Sequence, residues 1–266
     1  MIKKFFSSGY IFLVLAFIYI PIFLLIVFSF NEGVTTGTWI GFSLKWYERI
    51  YLIKDVVINT VLLAVISAVI STILGTFGAI GIYYSKTKFG KYSNLASQIP
   101  VVNSEVVTAC ALVMLLLVVT GQNRSIFGLY LGHVVLTAPF VVLSVMPKLK
   151  QMDGSLYEAA LDLGDTPFKA LFKVVIPQIL PGIFAGFMLA ITLSLDDYIV
   201  TATLAPINGN FETISTAVYK AIARGTESSN KTIAIYRALT TIIFVVTVAG
   251  VLIMNIRTNR KFNVKK

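Results

Sequence analysis

Three carboxylates, Glu105, Asp196 and Asp197, stand in stretches that otherwise read as apolar. A charged group in hydrocarbon is costly, so an acid placed there marks a candidate functional site. The chemistry these residues offer is attraction of a cation, and Tyr198 adds an aromatic face of the kind cations favour. On a regular helix, at about 100° per residue, Asp197 falls near the small-residue stripe Gly182, Gly186, Ala190, Ser194, and Asp196 is turned away by roughly a third of a circle. The two acids then cannot serve one neighbour. One faces a pathway while the other caps a broken helix end or pairs with a base such as Arg237. Glu105 lies about 9 Å along from Ile99, nearer the cytoplasmic side, and the Asp pair about 20 Å along from Gly182, nearer the outside. Acids near both ends of a route suit a cationic solute. The competing reading makes all three structural, satisfied by helix-borne bases or backbone groups.

Catalytic patterns are missing from the sequence. There is no G-x-x-x-x-G-K-[ST] phosphate loop, no H-E-x-x-H and no G-x-S-x-G elbow. His133 is the single histidine and cannot build a metal site, so it reads as a hydrogen-bonded packing residue. Cys110 is the single cysteine and has no disulfide partner within the chain. Gly75, Gly78 and Gly81 lack the spacing and the strand–turn–helix setting of a dinucleotide site.

The elements that carry these residues follow from composition. The chain has 266 residues, 57% apolar and 13% charged, too little polarity to cover a water-soluble surface. About twenty apolar residues cross a bilayer, and six runs approach or exceed that length, at about 9–30, 57–84, 99–120, 125–146, 182–205 and 232–256. The first is too long for a signal-peptide core and no A-x-A cleavage site follows it, so it stays as an anchor. The expected fold is therefore an all-α integral membrane protein of six helices, one transmembrane domain over 1–266.

Lysine and arginine set the orientation. With the N-terminus in the cytoplasm, most of the 22 basic residues fall inside: Lys3, Lys4, Lys86, Lys88, Lys91, Lys148, Lys150, Lys169, Lys173, Arg257, Arg260, Lys261, Lys265 and Lys266. Both termini are then cytoplasmic. The bias accounts for most of the net charge of +10 without any nucleic-acid partner. Outside, Trp46, Tyr47 and Tyr51 suit the membrane–water interface, and Phe211, Ile214, Val218 and Ile222 form a helical stripe. The second and fifth spans carry small residues at every fourth position (Ser67, Ser71, Gly75, Ala79; Gly182, Gly186, Ala190, Ser194), which serve either internal packing or a partner membrane subunit. Pro139 suggests a kink in the fourth span.

Between the fourth and fifth spans lies the polar stretch 151–181, which reads as two short helices. Ser155 and Glu158 have capping-box spacing. Gly164 is placed to end the first helix in a left-handed conformation. Thr166 then looks like an N-cap with Pro167 at the first helical position. A DNA-reading helix-turn-helix also uses two short helices, but not between membrane spans.

Glu158-Ala159-Ala160, Gly164 and Val174-x-Ile176-Pro177 together resemble the EAA loop of ABC-importer permeases, EAA-x3-G-x9-I-x-L-P, with Val174 for Ile and Ile176 for Leu. Beyond the loop, Tyr19-Ile20-Pro21-Ile22, Lys45-Trp46-Tyr47 and Thr192-Leu193-Ser194-Leu195-Asp196-Asp197 make the whole chain similar to the C-type permeases of spermidine/putrescine importers. In that family Asp often stands where this chain has Glu105. The resemblance implies a type I ABC importer permease fold in the bacterial inner membrane, with a cytoplasmic coupling helix. It implies ATPase-coupling roles for Glu158, Ala159, Ala160, Gly164, Pro167 and Pro177, and a substrate path along Glu105, Asp196, Asp197 and Tyr198. It implies as partners an ABC ATPase dimer, a second, similar permease, an extracytoplasmic polyamine-binding protein and the lipid bilayer. The chain binds no cofactor of its own; ATP and Mg belong to the ATPase. Related permeases carry other small solutes (organic cations, iron, phosphonates). An ion-coupled secondary transporter is a further alternative, against which the loop and the lack of an internal repeat both speak. An intramembrane enzyme would need a catalytic pair that the sequence lacks.

Overall fold

The computed structural model describes residues 2–35, 37–85, 88–121, 124–206 and 211–263. Of the basic residues that set the orientation, Lys86, Lys265 and Lys266 lie outside them. The described elements are helices: α1 (Ile2–Ser29), α2 (Lys45–Glu48), a short 3-10 turn (Ile50–Ile53), α3 (Lys54–Tyr84), α4 (Lys88–Val102), α5 (Glu105–Thr120), α6 (Ile126–Gln151), α7 (Ser155–Asp162), α8 (Pro167–Ala170), α9 (Ile176–Asp196), α10 (Ile199–Leu204), α11 (Ile214–Arg224) and α12 (Glu227–Asn263). An isolated antiparallel bridge joins Asn31 to Phe42. Contacts divide the chain into two compact units, 56–216 and the two ends, 1–55 with 217–266.

Among the described residues, five stretches are long and apolar enough to cross a bilayer, and a bent pair of helices adds a sixth if the pair is counted as one span. The bent pair corrects the expected third span. It is not one helix over 99–120 but Tyr92–Val102 and Glu105–Thr120, turned by 109°. The chain leaves helical geometry at Ser104, whose backbone is extended. The fifth span is corrected at both ends. It starts at Pro167 rather than at 182, because α8 runs on through a π-helical stretch, Leu171–Val175, into α9. Pro177 explains the wider turn: its ring crowds the carbonyl four residues back and it donates no hydrogen bond, and a π turn lets the helix absorb that defect. At the other end α9 stops at Asp196 instead of continuing to 205.

In the unit 56–216, α6 is the helix against which the others stack. Gly182 faces the Ser144 carbonyl, where an added Cβ would stand 3.0 Å away, and Gly186 faces Val141 at 3.1 Å. The small stripes of the second and fifth spans therefore both serve internal packing. Buried around them are Val141, Val145 and Leu149 of α6, Ala68 and Ala79 of α3, and Ile179 and Ala190 of α9. A second cluster joins Leu112 and Leu116 of α5, Leu129 and Leu136 of α6, and Val200 and Leu204 of α10. α6 remains a single helix through Pro139 and Pro147.

In the other unit α1 packs on α12, and Asn31 organises the loop that follows α1. Its amide nitrogen donates to the Thr38 carbonyl at 2.8 Å. Its Oδ1 accepts from the Gly33 and Ile40 N–H groups at 3.2 and 2.9 Å. The Asn31 carbonyl in turn accepts from the Trp46 indole at 3.0 Å. Trp46 is accordingly buried, while Tyr51 is exposed. Arg237 is buried and donates to the Val34 carbonyl at 2.7 Å.

Candidate coupling loop and acid cluster

The loop after α6 is built by its caps. Ser155 does not close a capping box; it is the first residue of α7, and the cap position is Gly154. The start is instead held by Asp153, whose Oδ1 accepts from the Ser155 N–H at 3.0 Å. The Ser155 hydroxyl and then its N–H keep the Asp153 carboxyl below its ordinary range. The end is a Schellman motif: Asp165 N–H reaches the Ala160 carbonyl at 3.1 Å and Gly164 N–H the Leu161 carbonyl at 2.9 Å. Gly164 has φ +90°, which a side chain would strain. Thr166 caps α8 as expected, its hydroxyl accepting from the Lys169 N–H, with Pro167 next.

These caps present an unusual surface. Glu158 and Ala159 are exposed and Ala160 is turned inward. Leu163 is 89% exposed and Phe168 70% exposed, with Leu156 and Phe172 beside them in sequence and also exposed. Pro177 sits one turn beyond, at the start of α9. The capped, polar-flanked loop thus leaves leucine and phenylalanine side chains exposed on one short stretch.

The acids lie elsewhere in the same unit. Glu105 is the first residue of α5, directly after the bend, and is exposed. Asp196 is the last residue of α9 and is exposed; Tyr198 is half-buried. Both aspartates are within electrostatic reach of Glu105. The structure thus brings Glu105 into the electrostatic neighbourhood of the two aspartates, where they were expected near opposite ends of a route. The straight-helix estimate of position did not include the 109° bend before Glu105.

Asp197 differs from its neighbour. Its backbone is extended, with φ −62° and ψ 129°, so the chain breaks there and restarts as α10. Its side chain is 1% exposed. Oδ1 accepts from the Val200 N–H at 3.1 Å, and Oδ2 from the Thr201 N–H and hydroxyl at 2.9 Å each. This is the capped broken end that the sequence left as one of two options, and Arg237 bonds the Val34 carbonyl instead. His133 of α6 is fully buried beside it. Its Nδ1 is 2.7 Å from Ser194 Oγ, and its Nε2 is 3.0 Å from Thr201 Oγ1 and 3.5 Å from Asp197 Oδ2. Behind it Thr137 donates to the His133 carbonyl at 2.7 Å and meets Ser71 of α3 at 2.6 Å. The histidine was expected to be a hydrogen-bonded packing residue, and it is. Its link to Asp197, 64 positions away in a lone sequence, carried no local signal.

Known proteins match this frame. The family model for the inner membrane component of binding-protein-dependent transport systems matches residues 111–260. The chain is 29% identical over 98% of its length to the spermidine/putrescine transport system permease protein PotC of Haemophilus influenzae, covering 99% of that protein. It is 31% identical over 70% of its length to the putrescine transport system permease protein PotI of Escherichia coli K12, covering 69% of it. In fold it is similar to a chain in the crystal structure of a bacterial ABC transporter involved in the import of the acidic polysaccharide alginate, with TM-score 0.66, 18% identity and 94% of both chains covered. The fold is thus that of a type I ABC importer permease, and the chain belongs to the family of inner membrane components of binding-protein-dependent transport systems.

Proposed function

We propose that this permease forms half of the translocation path of an ATP-driven polyamine importer. The single observation that carries the substrate class is the cluster of Glu105 and Asp196, exposed and within electrostatic reach of one another, in otherwise apolar helices. Two anionic groups at one level of a path lower the energy of a di- or trivalent ammonium compound and raise it for an anion. Tyr198, two residues on from Asp196, adds an aromatic face. The curated relatives over most of the chain, named as spermidine/putrescine and putrescine permeases, support the same class.

The remaining roles follow from the loop. Glu158, Ala159, Ala160 and Gly164, with Pro167 and Pro177 fixing the flanks, form the element that docks into the ATPase dimer. The chain has no phosphate loop, so ATP and Mg are held by that partner. Closure of the ATPase dimer moves the docked helix and switches the spans between inward- and outward-open packings. A second, similar permease completes the path, and an extracytoplasmic polyamine-binding protein delivers the solute. Both termini and the docking loop are on the cytoplasmic side, and residues 1–266 act as one transmembrane domain.

The test is uptake of labelled spermidine and putrescine by the reconstituted complex of both permeases, ATPase and binding protein, with amino acids, phosphonates and ferric iron as competitors. ATP-dependent uptake blocked by unlabelled polyamine alone supports the reading. Uptake displaced by one of the other solutes assigns the importer to that solute class.

A further inference from the structure

We infer that His133 is a positioning residue for the cation path, and that it works by clasping the two halves of the broken fifth span so that Asp197 points inward and only Asp196 points out. This rests on the reading of Glu105 and Asp196 as a cation path.

Donor and acceptor counting fixes the direction of the clasp. Asp197 Oδ2 is a carboxylate oxygen, so the Thr201 hydroxyl 2.9 Å away donates its one proton there. The same hydroxyl lies 3.0 Å from His133 Nε2 and can then only accept. Nε2 therefore carries a proton whatever the charge on the ring. On the other edge of the ring, Nδ1 meets Ser194 Oγ at 2.7 Å. Ser194 belongs to α9 and Thr201 to α10. One imidazole thus spans the break, with a hydrogen bond to each side.

The consequence for the two aspartates is opposite. Asp197 accepts from three donors within 3.1 Å. Its side chain is 1% exposed, and a solute cation could not reach it without opening α10. Asp196 has no place inside the clasp and is exposed. The clasp is also anchored to the packed core. Thr137 and Ser71 tie the His133 backbone to α3. Beside it Gly132 leaves the space occupied by the side chains of Val200 and Leu204, seating α10 on α6. His133 touches neither the exposed acids nor a solute. It determines where the step between Asp196 and Asp197 falls.

The experiment uses the complete importer complex in proteoliposomes, with variants His133→Leu and His133→Gln. Glutamine keeps one donor and one acceptor on a single side chain; leucine keeps neither. Each is combined with Cys110→Ala and a single reporter cysteine, either Val200→Cys inside the clasp or Val145→Cys in the core away from it; both positions are 0% exposed. With His133 present, both reporters should resist a water-soluble maleimide. In His133→Leu, labelling at position 200 should rise at least tenfold while position 145 stays protected. Uptake per ATP hydrolysed should fall at least tenfold while complex assembly persists, and His133→Gln should restore most of both. Unchanged labelling at 200 in His133→Leu overturns the proposal. So does a rise at 145 as large as that at 200, which would mean general unfolding. So does a glutamine variant no better than leucine. The labelling arm needs no substrate. If the unmodified complex takes up no polyamine, the substrate reading fails while labelling still decides the clasp.

Discussion

Gly75 of α3 lies so close to Val141 of α6 that an added Cβ would stand 2.7 Å from the Val141 Cβ and 2.9 Å from the Ala138 carbonyl oxygen. Backbone cannot yield to such an approach as a flexible side chain does. Gly75→Ala should therefore push α3 from α6 and destabilise the chain by about 1–3 kcal/mol, the usual cost of overpacking. Gly78 is the control, because its added Cβ would meet its nearest neighbour, Val142 Cγ2, only at 4.0 Å. Thermal unfolding of the purified permease in detergent should show Gly75→Ala melting earlier and Gly78→Ala unchanged.

The loop between α6 and α9 turns on one left-handed residue, Gly164. Gly164→Ala forces a side chain into φ +90°, at a cost of about 1–2 kcal/mol, and loosens the Schellman end of α7. Glu158→Ala removes an exposed charge and leaves the caps intact. Both variants should insert and assemble. Both should lower uptake several-fold relative to ATP hydrolysed, measured in the same proteoliposomes. If uptake per ATP is normal in both, the docking role of α7 is withdrawn.

In the loop after α1, Asn31 holds three backbone groups with one buried amide. Asn31→Ala orphans the Gly33 and Ile40 N–H groups and the Thr38 carbonyl, at about 1 kcal/mol or more for each group left unpaired. Asn31→Asp keeps the acceptor for the two N–H groups but loses the donor and turns a carboxyl oxygen toward the Thr38 carbonyl. Limited proteolysis between residues 31 and 43 should be fast in Asn31→Ala, intermediate in Asn31→Asp and slow in the parent.

What the sequence made legible was local. Gly164 and Thr166 announce their caps because a positive φ and an N-cap hydroxyl depend on immediate neighbours. The Ser155 capping box failed because Asp153, two residues earlier, supplies a competing acceptor for the Ser155 N–H. Span existence followed from apolar length, but span continuity did not. The bend before Glu105 and the break at Asp197 occur inside apolar stretches with no proline at the break itself. The break at Asp197 has a partner far along the chain, His133, whereas the bend before Glu105 is held by neighbours, with the Asn103 N–H on the Ile99 carbonyl and the Thr108 N–H on the Ser104 carbonyl. The small stripes announced close packing, yet only the shared helix α6 shows with what. The bend lies directly before Glu105 and the break directly after Asp196, and a straight-helix reading includes neither.

The exposed acids should act by charge, and charge predicts a graded effect. Glu105→Gln and Asp196→Asn each remove one unit of negative charge without shortening the side chain. Water around both groups screens the interaction, so each variant should slow uptake on the order of tenfold. The loss should be larger for trivalent spermidine than for divalent putrescine, because the interaction scales with the product of charges. Asp197→Asn should behave differently. An amide offers one acceptor oxygen where three donors converge, so α10 loses its cap, and the two polyamines should be impaired equally. Initial rates for both substrates, taken at saturating binding protein in all three variants, separate the cases. A charge-graded loss in Asp197→Asn, with an ungraded loss in Asp196→Asn, would reverse the assignment of the two aspartates.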